Sequence, residues 1–192
     1  MQLRILTAGE SHGKGHLTII EGMPCGLEIS EEDVNIHLAR RQKGYGRGDR
    51  MKIETDKVEF LSGIRHGLTI GSPIALLVKN KDWENWQIVM AQAPVDFSDP
   101  HVQEKMEEKK IEFVRPGHAD LSGVLKYSQP DIRNVLERSS ARETSARVAL
   151  GGLCIKFLKQ FRIEIFSHVV RIGPAGFDTY YVPSNLQKTR ID

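Results

Sequence analysis

The sequence predicts an α+β fold, on three observations. Short β-branched stretches near the front of the chain are bounded by glycines. A long apolar stripe at helical spacing lies near the end. Between them helices and strands mix without a strict βαβ alternation, which argues against a doubly wound parallel sheet. The 192 residues are 40% hydrophobic and 27% charged, an ordinary globular composition with length enough for a real core. Net charge is only +2, so any basic chemistry has to be local.

Leu3–Thr7 and Leu17–Glu21 read as strands on either side of a glycine-rich loop, "AGESHGKG". Ser30 offers an N-cap with Asp33 in the first turn, and Val34, Ile36 and Leu38 lead toward Arg40, which predicts a helix of about three turns. The stretch Arg40–Lys52, "RRQKGYGRGDRMK", carries six basic residues in thirteen, interrupted by Gly44, Gly46 and Gly48, and reads as a cationic loop. Val58–Leu61 and Ile74–Val78 are further strands. Phe97–Phe113 is dense in charge and reads as a surface excursion or a short solvated helix without chemistry of its own. The clearest helix is marked by Ala146, Ala149, Leu150, Leu153, Cys154, Phe157, Leu158 and Phe161, despite Gly151 and Gly152 within it. Just ahead, Ser140–Glu143 ("SARE") fits a capping box, or equally a chance match inside a longer helix from Asp131. No repeat or heptad array is visible.

Cys25 and Cys154 are far apart and without a C-x-x-C partner, so each reads as a small buried hydrophobe, and no metal site is expected. No apolar run approaches the roughly 20 residues that cross a bilayer. The start, "MQLRILTAGE", meets charge and glycine too early for a signal peptide, so the expectation is a cytoplasmic protein with no membrane partner.

Three clusters carry candidate chemistry. Gly9–Gly13 matches the G-x-S-x-G nucleophile elbow, but an elbow needs a helix after the turn, and "KGHLTIIEG" is strand-like; Ser11 is therefore not read as a nucleophile. A P-loop also fails, with Ala8 and Gly15 where glycine and Ser or Thr are required. His12 remains, in a loop with backbone freedom suited to general acid work. "RPGHAD" sets His118 beside Arg115 and Asp120, so a carboxylate could orient the imidazole while the arginine holds an anion. "ERSSARET" adds Arg138, Ser139, Ser140 and Arg142, the donors of a phosphate or carboxylate site. Together they indicate one large anionic ligand set. A nucleic-acid-binding module using the Arg40–Lys52 loop is the alternative from another class; the small net charge and the single aromatic Tyr45 in that loop stand against it.

"AGESHG", "RRQKGYGRGDRMKIE", "SGIRHGLTIGSPIALLVKNKDWENW", "RPGHADLSGVLKY" and "RNVLERSSARETSARVALGG", in this order across residues 3 to 158, resemble the chorismate synthase family. The resemblance implies a shikimate-pathway lyase that converts 5-enolpyruvylshikimate 3-phosphate to chorismate and phosphate by a 1,4-anti elimination. It also implies a requirement for reduced FMN, although the reaction is redox-neutral overall. Carried over by residue, it makes His12 the acid near the departing phosphate and gives His118 a bond or a proton to the reduced flavin. Arg138, Ser139 and Ser140 match the FMN-contacting triplet, and Arg41 and Arg47 match positions for substrate or NADP. Ser11, Arg115 and Arg142 become substrate contacts. NADPH is the reductant for members that reduce their own flavin and a separate reductase serves others; both stay open. A flavin-binding or flavin-reducing module without lyase activity is the nearest alternative. The implied fold is a sandwich of antiparallel sheets and helices, assembled as a homotetramer. Family members are longer, with further flavin contacts and a catalytic aspartate in their second half. Residues 1–192 then correspond to the N-terminal portion of a single domain, incomplete in its core and of little activity by itself.

Overall fold

The computed structural model describes residues 2–43 and 55–176. Most of the expected Arg/Gly loop, Arg47 included, lies outside the described residues. The centre is a four-stranded antiparallel sheet in the order β1-β2-β6-β3, built from β1 (Arg4–Gly9), β2 (Gly15–Glu21), β3 (Val58–Ser62) and β6 (Ile74–Lys79). Because β2 and β6 are central and pleated, their residues alternate in burial: His16, Thr18 and Ile20 share one face with Ile74, Leu76 and Val78. Two helices cover that face, α1 (Glu31–Gln42) and α5 (Thr144–Lys159). The core between the layers joins Ile20, Met23, Ile29, Val34, Leu38, Val58, Leu76, Ala149 and Leu153, each large aliphatic chain contributing about 1.5–3 kcal/mol by leaving water. A fold of antiparallel sheet plus helices is α+β, as the sequence predicts.

Helix α1 starts where its capping box says it should. Ser30 Oγ accepts from the Asp33 amide, and Asp33 Oδ2 accepts from the Ser30 amide at 2.9 Å. The second expected box at Ser140–Glu143 forms only in half. Ser140 Oγ accepts from the Arg142 amide at 3.3 Å, but Glu143 turns away to accept from Thr7 and Arg147, so the segment becomes a short 3-10 turn between two helices. Those helices are α4 (Arg133–Ser139) and α5; the expected stripe ends early, because the helix stops at Lys159 and Phe161 lies beyond it, exposed and edge-on to Phe157. The charged stretch contains a short solvated helix, α2 (Pro100–Glu108), capped by Asp99. Elements without a clear sequence signal are a small hairpin, β4 (Ile64–Arg65) with β5 (Leu68–Thr69), a 3-10 turn at Trp83–Trp86, helix α3 (Asp120–Tyr127), and a second hairpin, β7 (Arg171–Ile172) with β8 (Ala175–Gly176).

One reading is corrected. Cys25 is exposed, not buried, because it sits in the Pro24–Gly26 turn that leaves β2 with Gly26 at φ +86°. Cys154, on α5, is half-buried, and burial raises its thiol pKa. Both are free thiols.

Candidate functional site

The loop between β1 and β2 is closed tightly, and glycine makes the closure possible. Gly9 has φ +98°, and a Cβ there would stand 2.1 Å from the Gly15 carbonyl oxygen. This places Ser11 in full burial and His12 beside α4, with 17% of its side chain exposed. The Ser11 amide donates to the Glu137 carbonyl at 3.0 Å, and Ser140 Oγ donates to Ser11 Oγ at 3.1 Å. The Ser11 hydroxyl is thus held beneath the loop by Ser140.

Glu137 organises His12. Its carboxylate meets His12 Nδ1 at 2.8 Å, accepts the His12 amide at 2.8 Å, and accepts Arg133 one turn earlier on α4 at 2.8 Å. Burial opposes the charged form of this carboxyl. The hydrogen bond from His12, together with the charges of His12 and Arg133, outweighs that and holds it below the usual glutamate value. A buried carboxylate on Nδ1 fixes the ring's orientation and leaves Nε2 as the nitrogen that faces a substrate, the arrangement a general acid needs. On the ring's face lies Trp86, stacked at 3.7 Å between centroids and 29° between planes. Arg133 and Lys109 stand over the same indole at 5.2 and 5.3 Å.

The predicted anion-binding arginines fall into two groups. Arg41, at the end of α1, and Arg142, in the 3-10 turn, both bind Asp56, at 3.2 and 3.0 Å; all three side chains are largely buried. Arg142 also donates to the Lys79 carbonyl, and Arg41 to Thr144 and Ala141. This network ties α1 to the start of α5. Arg138 reaches across to β1, where it donates to the Thr7 carbonyl at 3.0 Å and pairs with Glu143 at 3.7 Å. Ser139 Oγ donates back to Val135.

His118 belongs to a separate cluster at the start of α3. Its Nδ1 meets Asp120 Oδ1 at 2.5 Å, and Arg115 binds the other carboxylate oxygen through both its amide and Nε at 3.0 Å. The Arg115 bond, against the cost of burial, brings the Asp120 carboxyl down to a pKa of about 2. Helix α3 packs on α4 through Gly123, where a Cβ would strike Val135 at 2.3 Å. The two histidine clusters therefore flank different faces of α4: Glu137 faces His12, and Val135 faces the helix that follows His118.

Between α3 and α4 lies an open hollow of about 430 Å³, lined by Ser122, Lys126, Tyr127, Asn134, Arg138 and Ser139 among others. Lys126 and Arg138 set two cations beside hydroxyl and amide groups and one aromatic ring, groups able to bind an anion, and the volume lies in the range of small-molecule sites. No group of three or more His, Cys, Asp or Glu among the described residues could hold a metal ion. No helix among them is long and apolar enough to cross a membrane.

Sequence reading passed over Glu137, Arg133, Trp86, Asn80 and His16. The i,i+4 spacing of Arg133 and Glu137 was available as a signal for one helix face; nothing local marks Trp86 as a partner of His12. His16 is fully buried on β2 facing α5. Neither ring nitrogen has a hydrogen-bond partner among the described residues, and burial first, then the charges of Arg142 and Arg138, lower its pKa to about 4.

Comparison with known proteins converges on one family. A protein-family model described as chorismate synthase matches residues 3–191. The chain is 54% identical over 182 residues to chorismate synthase of Syntrophomonas wolfei, covering 95% of this chain and 44% of that relative. It is 57% identical over 173 residues to that of Aquifex aeolicus, covering 89% of this chain and 41% of the relative. A solved structure titled "Crystal Structure of Chorismate Synthase" superposes with a TM-score of 0.67 at 46% identity, over 92% of this chain and 40% of that one. The chain thus spans less than half the length of the relatives it matches.

Proposed function

Since the chain belongs to the chorismate synthase family, we propose that its residues form the N-terminal portion of a lyase domain that eliminates phosphate from 5-enolpyruvylshikimate 3-phosphate to give chorismate. The observation that carries this reading is His12, held by Glu137 on a glycine-closed loop. In the elimination the carbon–oxygen bond to phosphate breaks, a ring proton leaves from the far end of the allylic system, and a new double bond forms. With Nδ1 held by Glu137, His12 delivers its proton to the departing phosphate from Nε2; Glu137, itself held by Arg133, fixes the ring's orientation, and water returns the proton after phosphate leaves. Arg41, Arg47, Arg115, Arg142 and Ser11 supply the positive and hydroxyl donors for the substrate's phosphate and two carboxylates; the first and fourth of these act through the Asp56 network, which keeps their guanidinium planes fixed.

Arg138, Ser139 and Ser140 are the proposed flavin contacts, and the hollow beside Arg138 and Ser139 supports that reading. Reduced FMN, when bound, supplies electron density to a reaction that is redox-neutral overall. His118, oriented by Asp120 and Arg115, hydrogen-bonds or protonates at the flavin side of the site. Flavin reduction by NADPH or by a separate reductase, a homotetramer, a cytoplasmic location and no nucleic-acid partner complete the proposal. The test places residues 1–192 in exchange for the aligned segment of a full-length relative. In that chimera His12→Ala lowers elimination on the order of 100-fold while FMN affinity stays within experimental error. Normal turnover of His12→Ala sinks the acid assignment; loss of FMN binding in step with turnover points instead to a flavin-binding module.

A further inference from the structure

A closed ring of contacts leads out from the His12 loop and back to it. Asn80 follows β6 directly and is 5% exposed. Its amide N–H donates to the Lys14 carbonyl and its Nδ2 to the Gly13 carbonyl, both at 2.9 Å, so it grips the backbone immediately after His12. Its own Oδ1 accepts the Asp82 amide at 3.0 Å. Asp82 Oδ2 accepts Trp86 Nε1 at 2.8 Å, which fixes the indole within the 3-10 turn Trp83–Trp86. The indole then stacks on the imidazole of His12. One end of this chain holds the loop's backbone and the other holds the face of the ring it carries.

We infer that Asn80–Trp86 is a clamp for His12 and that Trp86 is its positioning residue. Two coordinates are needed to place an imidazole: an in-plane anchor and a face. Glu137 provides the first through Nδ1, and Trp86 provides the second. A flat stack also suits a ring that cycles between charged and neutral forms, because the indole face attracts imidazolium and still packs against imidazole. Arg133 ties the two supports together, since it binds Glu137 at 2.8 Å and lies over the Trp86 ring. Without the indole the ring keeps its hydrogen bond but pivots about it, and a general acid displaced by about 1 Å loses on the order of 100-fold in rate.

The inference rests on the acid role proposed for His12, and its test separates the two. In the 192-residue chain, NMR of the His12 ring protons reads the stack directly, because an indole face at 3.7 Å shifts them upfield. Trp86→Phe retains the upfield shift in part, and Trp86→Leu and Asp82→Ala abolish it, with the sheet amide spectrum unchanged. In the chimera, Trp86→Leu lowers kcat on the order of 10-fold or more with KM nearly constant, and Trp86→Phe recovers part of the loss. His12 ring protons insensitive to Trp86→Leu in a folded chain overturn the clamp, whatever His12 does. An intact ring shift together with a fully active His12→Ala chimera overturns the acid role and leaves the clamp standing. If Trp86→Leu does not fold, Asp82→Ala and Trp86→Phe decide by the same readouts.

Discussion

At the scale of single residues, His16 gives the clearest physical consequence. It is fully buried, unpartnered at both ring nitrogens among the described residues, and surrounded by Arg142 and Arg138, which disfavour its proton, and by Glu143 and Asp56, which favour it. Burial leads the balance and the folded pKa falls from 6.5 to about 4. The unfolded chain therefore binds the proton more readily than the folded one between these values. Stability is whole above pH 6.5 and is lost as pH falls toward 4, by about 3 kcal/mol from this residue at full effect. Urea unfolding at pH 7 and pH 4.5 measures it. His16→Leu, which keeps the β2 burial without a titrating ring, should be near neutral at pH 7 and distinctly stabilising at pH 4.5; equal effects at both values would show that the ring is solvated or protonated in the fold. Glu137, whose carboxyl also lies below its usual value, contributes stability of its own that is lost as pH falls through its folded pKa.

At the scale of elements, adjacent glycines in α5 separate propensity from packing. Gly151 points into open space, whereas a Cβ on Gly152 would lie 3.1 Å from Val34 Cα and 3.2 Å from the His37 ring, where α5 crosses α1. Gly151→Ala should stabilise by about 0.5–1 kcal/mol, the ordinary gain of alanine over glycine inside a helix. Gly152→Ala should lose that gain and destabilise, because backbone at Val34 has to give way. Thermal or urea unfolding of the two variants checks the ordering, and equal stabilisation by both would mean that the helices are farther apart. This crossing also shows where sequence reading runs out. The stripe through Ala146, Ala149 and Leu153 revealed the buried face of α5, and Ser30 with Asp33 revealed the start of α1, because both are local patterns. That Gly152 is a contact surface and not merely a cost depends on a partner more than a hundred residues earlier. The site divides in the same way. His12 and His118 stand out by their neighbours in the chain, while Glu137 and Trp86 reach His12 only through the packing of α4 and of the turn after β6. Helix α3 is short with Leu121 and Leu125 exposed, and helix α4 is seven residues long with only Val135 and Leu136 apolar, so neither left a periodicity strong enough to read.

At the scale of the whole molecule, one face of the sheet is packed and the other is not. Ile20, Leu76 and Val78 are buried under α1 and α5, but Leu6 on the opposite face is 70% exposed, and Leu17, Ile19, Ala75 and Leu77 beside it are only half-covered. Leu125 on α3 is 71% exposed, and Ile172 in the last hairpin 73%. Apolar surface of this extent is available for further chain to pack on. The candidate site is open in the same sense, since the hollow beside Arg138 is walled, among the described residues, by α3, α4 and the residues next to them. The relatives are more than twice as long as the matched segment, and in the reading proposed above their remaining length packs against this face and this hollow. A 192-residue polypeptide supplied with excess reduced FMN should then form chorismate far more slowly than a full-length relative, and its exposed sheet face should bind an apolar dye such as ANS and promote association. In the chimera, where the same residues meet the rest of a relative's chain, turnover should return and dye binding should fall together. The coupled recovery is the discriminating result, because a misfolded segment would regain neither. Turnover by the 192 residues alone at the rate of a full-length relative would mean that the described clusters already make a complete site.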